Sequence, residues 1–207
     1  MGTAKFIIGL TGGFASGKST ISRMLADYGF YIIDADDVAR DVVKPGSEIL
    51  NLIVKRWGDE ILDYNGMLDR QKLASIVFTD EDERVELEKM LHPLIIAAML
   101  KLASESKAEM IIFVAPLLIE SGLNEKCDLV MALTAPDEVK IKRAMGKYDN
   151  AGAIVEKRIR AQISDDERNK KADFIINTDC SMDDLKTRVD DIMIKIFEII
   201  QERRGKT

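Results

Sequence analysis

The run Gly12-Gly13-Phe14-Ala15-Ser16-Gly17-Lys18-Ser19 fits the pattern G-x-x-x-x-G-K-[ST]. Glycines at this spacing let the backbone wrap a phosphate with its N–H groups turned inward. The partial positive charge at the start of a following helix adds to the attraction. Lys18 has the reach for the β- and γ-phosphates of a nucleoside triphosphate, and Ser19 supplies the hydroxyl that such loops set on Mg²⁺. Gly13, Ala15, Ser16, Gly17, Lys18, Ser19 and Thr20 form the candidate nucleotide-binding set. The flanks are those the motif requires. Phe6–Leu10 reads as a short buried strand, and Ser19–Tyr28 as a helix stopped by Gly29.

Carboxylates follow the second strand-like run, in Ile33-Asp34-Ala35-Asp36-Asp37. In an open parallel sheet the carboxyl ends of strands meet the ligand. Asp34 and Asp36 are two apart, so on a strand they share a face. A carboxylate there can take the proton of an attacking hydroxyl or orient metal-bound water, the base that phosphoryl transfer needs. Two plainer readings stand beside this one: an Asp capping the next helix, or Asp36 pairing with Arg40 one turn on. His92, the single histidine, precedes Pro93, which places it at a helix boundary, as an anion or hydroxyl ligand or as a structural hydrogen-bonding residue. Arg143 follows the fourth strand on a helix directed at the phosphates. Its guanidinium either neutralises charge on a transferred phosphoryl group or forms a surface ion pair. Arg158 and Gln162, one helical turn apart, either face one ligand or lie on the surface. Pro116 after the third strand marks a rigid turn, with Leu117 and Leu118 as an apolar wall. That strand lacks the terminal Asp by which many P-loop ATPases hold Mg²⁺, which disfavours a motor ATPase, and no Asn-Lys-x-Asp marks guanine recognition.

The elements that must position these residues are legible from periodicity. Phe6–Leu10, Phe30–Ile33, Met110–Ala115, Leu129–Leu133 and Phe174–Ile176 are short apolar runs separated by helical patterns, which implies an α/β fold with a five-stranded parallel sheet and helices on both faces. Residues 37–108 contain no convincing strand and read as a helical insertion over the sheet's carboxyl edge. Residues 137–172 hold ten Lys/Arg against seven Asp/Glu, a net +3, while the rest of a chain of net charge −6 carries −9. This stretch is either a positive lid over an anionic substrate or a solvated helical hairpin with i,i+4 pairs. Leu185, Val189, Ile192, Ile196 and Ile199 give the last helix, over 182–204, a core-facing stripe, and Arg203–Thr207 reads as a frayed tail.

The chain has 207 residues, enough for one domain, 1–207, with an insertion. An apolar content of 46% supports a sizeable core. The net charge of −6 argues against nucleic-acid binding by bulk charge. Cys127 and Cys180 match no metal spacing or disulfide framework. The longest apolar runs are too short to span a bilayer, and no signal peptide precedes the first strand. The expectation is a cytoplasmic protein without membrane or nucleic-acid partners, and by size a monomer.

Several motifs at their separations resemble the dephospho-coenzyme A kinase family over Phe6 to about Leu185. They are Gly9-Leu10-Thr11-Gly12-Gly13, Ser16-Gly17-Lys18-Ser19-Thr20, Ile33-Asp34-Ala35-Asp36, Asp69-Arg70, Leu91-His92-Pro93, Pro116-Leu117-Leu118-Ile119-Glu120, Lys142-Arg143, Arg158-Ile159-Arg160-Ala161-Gln162 and Ala172-Asp173-Phe174-Ile175-Ile176-Asn177. The resemblance implies a P-loop kinase fold of three layers, like that of the nucleoside monophosphate kinases, with a helical substrate region and a helical lid. It implies transfer of the γ-phosphoryl group of ATP, with Mg²⁺, to the ribose 3′-hydroxyl of dephospho-CoA, the last step of CoA biosynthesis. On this resemblance Asp36 is the base, and Lys18 and Arg143 clamp the phosphates. Thr11, Asp34, Arg70, His92, Leu117 and Leu118 belong to the dephospho-CoA side. The family often carries an arginine where this chain has Lys147, which keeps the charge and loses the bidentate fork. The lid tip, Tyr148-Asp149-Asn150-Ala151-Gly152, also departs from the family's pattern.

Overall fold

A computed structural model describes residues 5–77, 79–145 and 162–205. Its centre is a parallel five-stranded sheet in the order β2-β3-β1-β4-β5. The strands are β1 (Phe6–Gly12), β2 (Tyr31–Asp34), β3 (Met110–Val114), β4 (Leu129–Thr134) and β5 (Phe174–Asn177). All five runs read from the sequence are strands, with ends moved by at most two residues. β1 continues past Leu10 because Thr11 and Gly12 still find partners, opposite Ala132 and Leu133 of β4. Four of the five residues of β3 are buried, consistent with its unbroken apolar run. The chain leaving β1 crosses β3 to reach β2, whereas the chain leaving β4 continues outward to β5. The carboxyl ends of β1 and β4 therefore flank the point where the winding reverses, the usual place for a ligand.

The helices are α1 (Lys18–Asp27), α2 (Ala35–Val42), α3 (Glu48–Trp57), α4 (Arg70–Val77), α5 (Glu81–Glu105), α6 (Asp137–Met145), α7 (Asp165–Asn169) and α8 (Met182–Arg204). Among the described residues none is long and apolar enough to cross a membrane. The chain forms two compact units, Met1–Ile32 with Lys107–Thr207, and Ile33–Ser106. In the first, Ile8, Leu10, Ile112, Met131 and Leu133 of the sheet pack with Ile21 and Leu25 of α1 and with Val189, Met193 and Ile196 of α8. The second has its own core, in which Val43, Ile49, Ile53, Trp57, Ile61, Leu73 and Val77 pack together. Between Ala35 and Ser106 the described residues form helices joined by turns, with one isolated bridge, Leu62 to Leu68, and no strand.

Two expectations are corrected here. His92 does not mark a helix boundary: it lies inside α5, which runs through Pro93 for 25 residues. Proline gives up one backbone donor and disfavours a helical residue before it, but α5 is capped at Asp80, whose carboxylate accepts from the N–H groups of Asp82 and Glu83, and Leu87, Met90 and Leu91, in the turns before Pro93, pack against the core of its unit. The cost of one missing bond is outweighed. Arg203 and Arg204 are not frayed. They end α8 and form ion pairs with Asp128 and Glu109.

Candidate active site

β1 ends at Gly12, and the loop to α1 is bent tightly. A Cβ on Gly12 would stand 2.5 Å from Ser16 Oγ and 2.9 Å from the Leu133 carbonyl oxygen, so no side chain fits there. Ala15 sits at φ 59°, the one left-handed non-glycine among the described residues. That conformation costs free energy and persists only where the surroundings enforce it, which is a common mark of a binding loop. Gly17 caps α1 at φ 100° with no side-chain bond to the first turn. The helix's first N–H groups are thus not taken by a capping side chain, the arrangement that favours an anion. Lys18 lies back over the loop, its Nζ donating to the carbonyls of Gly12 at 2.8 Å and Gly13 at 3.1 Å. Ser19 is exposed on the first turn and Thr20 half-buried. Ser16 is fully buried, and its Oγ has no hydrogen-bond partner among the described residues.

Arg143, half-buried on α6, comes to this loop through a single residue. Its NH1 donates to Thr178 Oγ1 at 3.0 Å and its NH2 to the Thr178 carbonyl at 2.6 Å. Thr178, just past β5 and 2% exposed, donates its own hydroxyl to the Ser16 carbonyl at 2.9 Å. Among the described residues Arg143 forms no ion pair, and its guanidinium is taken up by Thr178. A second tie reaches the loop from Gln162, whose Oε1 accepts the Phe14 N–H at 2.9 Å. Gln162 itself lies in a bend. Arg158, Lys147 and the segment 148–152 fall outside the described residues.

Beside Gly13 lies a cavity of about 410 Å³, lined in part by Lys140, Gln162, Asp165 and Arg168. Asp165 joins the two buried cations: its carboxylate is 2.8 Å from Lys140 Nζ and 2.5 Å from Arg168 NH1. Lys140 is 4% exposed and Arg168 1%. Buried charges persist only when paired, so Asp165 holds both of these basic residues away from bulk solvent.

Thr11 is fully buried and its hydroxyl donates to the Pro116 carbonyl at 3.4 Å, tying the end of β1 to the turn after β3. Pro116 does open a turn. Leu117 is half-exposed, whereas Leu118 is fully buried, packed where any side chain on Gly9 would have to go. Of the apolar wall expected there, only Leu117 presents surface.

The remaining expected residues lie in the unit Ile33–Ser106. Asp34 ends β2 and caps α2, its Oδ1 accepting the Asp36 N–H at 2.8 Å. The two aspartates therefore do not share a strand face, because Asp36 is already in the first turn of α2. Asp36 is exposed, and Arg40 pairs with Asp37 at 2.5 Å rather than with it. Arg70 opens α4 and donates to the Ala39 carbonyl at 3.3 Å. Desolvation, and then the charge of Arg40, lower the pKa of Arg70, while the charge of Asp36 opposes the shift. Arg70 thus lies along α2 within the reach of charge from both Asp36, in its first turn, and Arg40, in its last. His92 is half-buried on α5.

The family model described as dephospho-CoA kinase matches residues 6–184. This chain belongs to the dephospho-CoA kinase family. A dephospho-CoA kinase of Fusobacterium nucleatum is 39% identical over 184 residues, covering 89% of this chain and 95% of that one. A solved dephospho-CoA kinase from Campylobacter jejuni superposes with a TM-score of 0.66 at 27% identity, over 92% of this chain and 96% of that one. A Thermus thermophilus crystal structure gives 0.78 at 29%, over 93% and 98%. The fold is accordingly that of a P-loop kinase. As a dephospho-CoA kinase family member, the chain carries one contact that inspection of the sequence passed over, Thr178. The rule that strand ends meet ligands, which pointed to Asp34 and Asp36, applies equally to the end of β5.

Proposed function

We propose that this protein transfers the γ-phosphoryl group of ATP to the ribose 3′-hydroxyl of dephospho-CoA, giving CoA and ADP. Membership of the dephospho-CoA kinase family is the observation that carries this reading. The new bond forms between the 3′-oxygen and the γ-phosphorus as the bond from that phosphorus to the β,γ-bridging oxygen breaks. The hydroxyl proton passes to Asp36, and ADP leaves. Asp34, engaged at the α2 cap, fixes the backbone that carries Asp36. Lys18 exchanges its two loop carbonyls for phosphate oxygens, which are charged and hence stronger acceptors. Arg143 and the N–H groups at the start of α1 stabilise the charge on the transferred group. Arg70 and His92 hold dephospho-CoA, Leu117 offers it an apolar surface, and the buried Thr11 and Leu118 support the turn that carries Leu117.

Mg²⁺ fits the residues present. It keeps several waters and takes its other oxygens chiefly from nucleotide phosphates, so it asks the protein for few ligands. The exposed Ser19 hydroxyl, one residue beyond Lys18, is the oxygen this loop offers. When bound, the ion supplies charge neutralisation between the β- and γ-phosphates.

The deciding experiment follows ADP release from ATP and Mg²⁺ with dephospho-CoA, AMP, CMP or no acceptor. Release only with dephospho-CoA, with CoA identified as product, is the expected result. Release with a monophosphate instead would keep the chemistry and overturn the substrate.

A further inference from the structure

The guanidinium of Arg143 and the backbone of the phosphate loop are joined through one buried hydroxyl. Thr178 Oγ1 has a single proton, and two carbonyls compete for it: Ser16 at 2.9 Å and Thr134 at 3.3 Å. The shorter contact is to Ser16. The oxygen's lone pairs are then turned toward the donor that approaches at 3.0 Å, NH1 of Arg143. The Thr178 backbone carbonyl takes NH2 of the same guanidinium, so one residue holds both arms of the fork. The backbone of Thr178 is itself fixed, since its N–H donates to the Thr134 carbonyl at 2.9 Å where β4 ends. Donating to a carbonyl while accepting from a cation polarises the hydroxyl and strengthens both bonds. The side chain also packs against the loop, because a Cβ on Gly17 would lie 3.8 Å from the Thr178 methyl.

We propose that Thr178 is a positioning residue for phosphoryl transfer, orienting Arg143 toward the phosphates and setting the Ser16–Gly17 turn of the loop through the same hydroxyl. The proposal rests on the reading of Arg143 as a phosphate clamp. Thr178 touches neither reactant and acts through Arg143. The requirement is for a hydroxyl at this place, not merely for a residue of threonine's size. Valine matches its shape and cannot make either bond. Serine makes both.

The experiment is a double-mutant cycle of Thr178→Val and Arg143→Ala, with Thr178→Ser as rescue. It reads kcat, the KM for each substrate and Tm. A lost contact to a charged donor translates to about tenfold or more in rate. Thr178→Val is expected to lower kcat by about that factor, with the KM for dephospho-CoA changed by less than about twofold. Thr178→Ser is expected to regain most of the loss. In the Arg143→Ala background the valine substitution should have almost no further effect on kcat, because the group it orients is gone. A loss of the same size in both backgrounds would overturn the proposal. So would a lower Tm with kcat unchanged at a temperature where the variant is folded, which is what a packing role alone produces. Near-normal turnover of Arg143→Ala by itself would instead sink the phosphate-clamp reading, and the proposal with it. If the valine variant does not fold, Thr178→Ala removes the same hydroxyl without placing a methyl against the Ser16 carbonyl and takes its place in the cycle.

Discussion

Asp34 and Asp36 have different duties although one residue separates them. The carboxylate of Asp34 accepts a backbone N–H and holds the start of α2. That of Asp36 is exposed in the first helical turn and faces the charge of Arg70. A base must be accessible and must not be committed to a structural bond, and only Asp36 satisfies both. Replacing Asp36 with Asn keeps shape and removes the proton acceptor, so kcat is expected to fall by about 100-fold or more, the range for a lost general base. The KM for ATP should stay near its starting value, since the nucleotide-binding set lies elsewhere in the chain. Steady-state kinetics with both substrates varied checks this, and near-normal turnover would remove Asp36 from the role. At this scale the sequence was informative where function is encoded locally. All fixed positions of the phosphate loop sit within eight residues, so the motif could be read directly. Thr178 escaped notice because its meaning comes from a contact 162 residues distant, to Ser16. The same holds for Asp165, whose importance depends on burying Lys140, 25 residues away.

Elements were readable when their pattern was purely apolar and their partners generic. Five short apolar runs gave five strands: β1, β3 and β4 are almost wholly buried and have no polar positions to confuse the pattern, while the exposed positions Tyr31 of β2 and Ile175 of β5 are themselves apolar. The His92-Pro93 pair misled because local propensity penalises a helix there, while the packing of α5 is a tertiary effect that no short window contains. A contact between α1 and α8 shows another feature that only the fold creates. The Tyr28 hydroxyl, at the end of α1, donates to the Asp190 carboxylate on α8. That hydrogen bond is the main cause that pushes the Tyr28 pKa from 10.0 up to about 12, with burial and the charge of Asp190 acting in the same direction. Between those values the folded protein keeps a proton that the unfolded chain has released. The contribution to stability is therefore complete below pH 10 and disappears as pH rises through about 12. Urea midpoints for the wild type and Tyr28→Phe should differ by a constant amount at lower pH and converge across that window. A difference that does not change with pH there would mean that Asp190 does not hold the phenol proton.

On the scale of the molecule, the chain passes from one compact unit into a second and back, at Ile32–Ile33 and Ser106–Lys107. The sequence hinted at this division through the missing strands of residues 37–108, but not that the stretch carries a core of its own. That core is drawn from α3, α4, Val43 just past α2 and a 3₁₀ turn, Asp59–Ile61, so no single amphipathic pattern announces it. A core within each unit predicts openings that can be told apart. Ile53 is fully buried in the second core, and truncating such a residue costs about 2–5 kcal/mol. If the units open independently, Ile53→Ala should speed amide exchange in α3 and α4 by about 30-fold or more, the factor that 2 kcal/mol represents. β1 and β4, whose side chains lie in the other core, should exchange at their original rates. Exchange mass spectrometry on the intact protein resolves the two regions. Equal acceleration in the helices and the strands would instead make the whole chain one cooperative unit. In that case any loss of stability in residues 33–106 would reach the phosphate loop as well, and core substitutions far from the loop would lower the fraction of molecules able to bind nucleotide. Independent opening leaves the loop formed and confines the damage to the unit that carries Asp36 and Arg70.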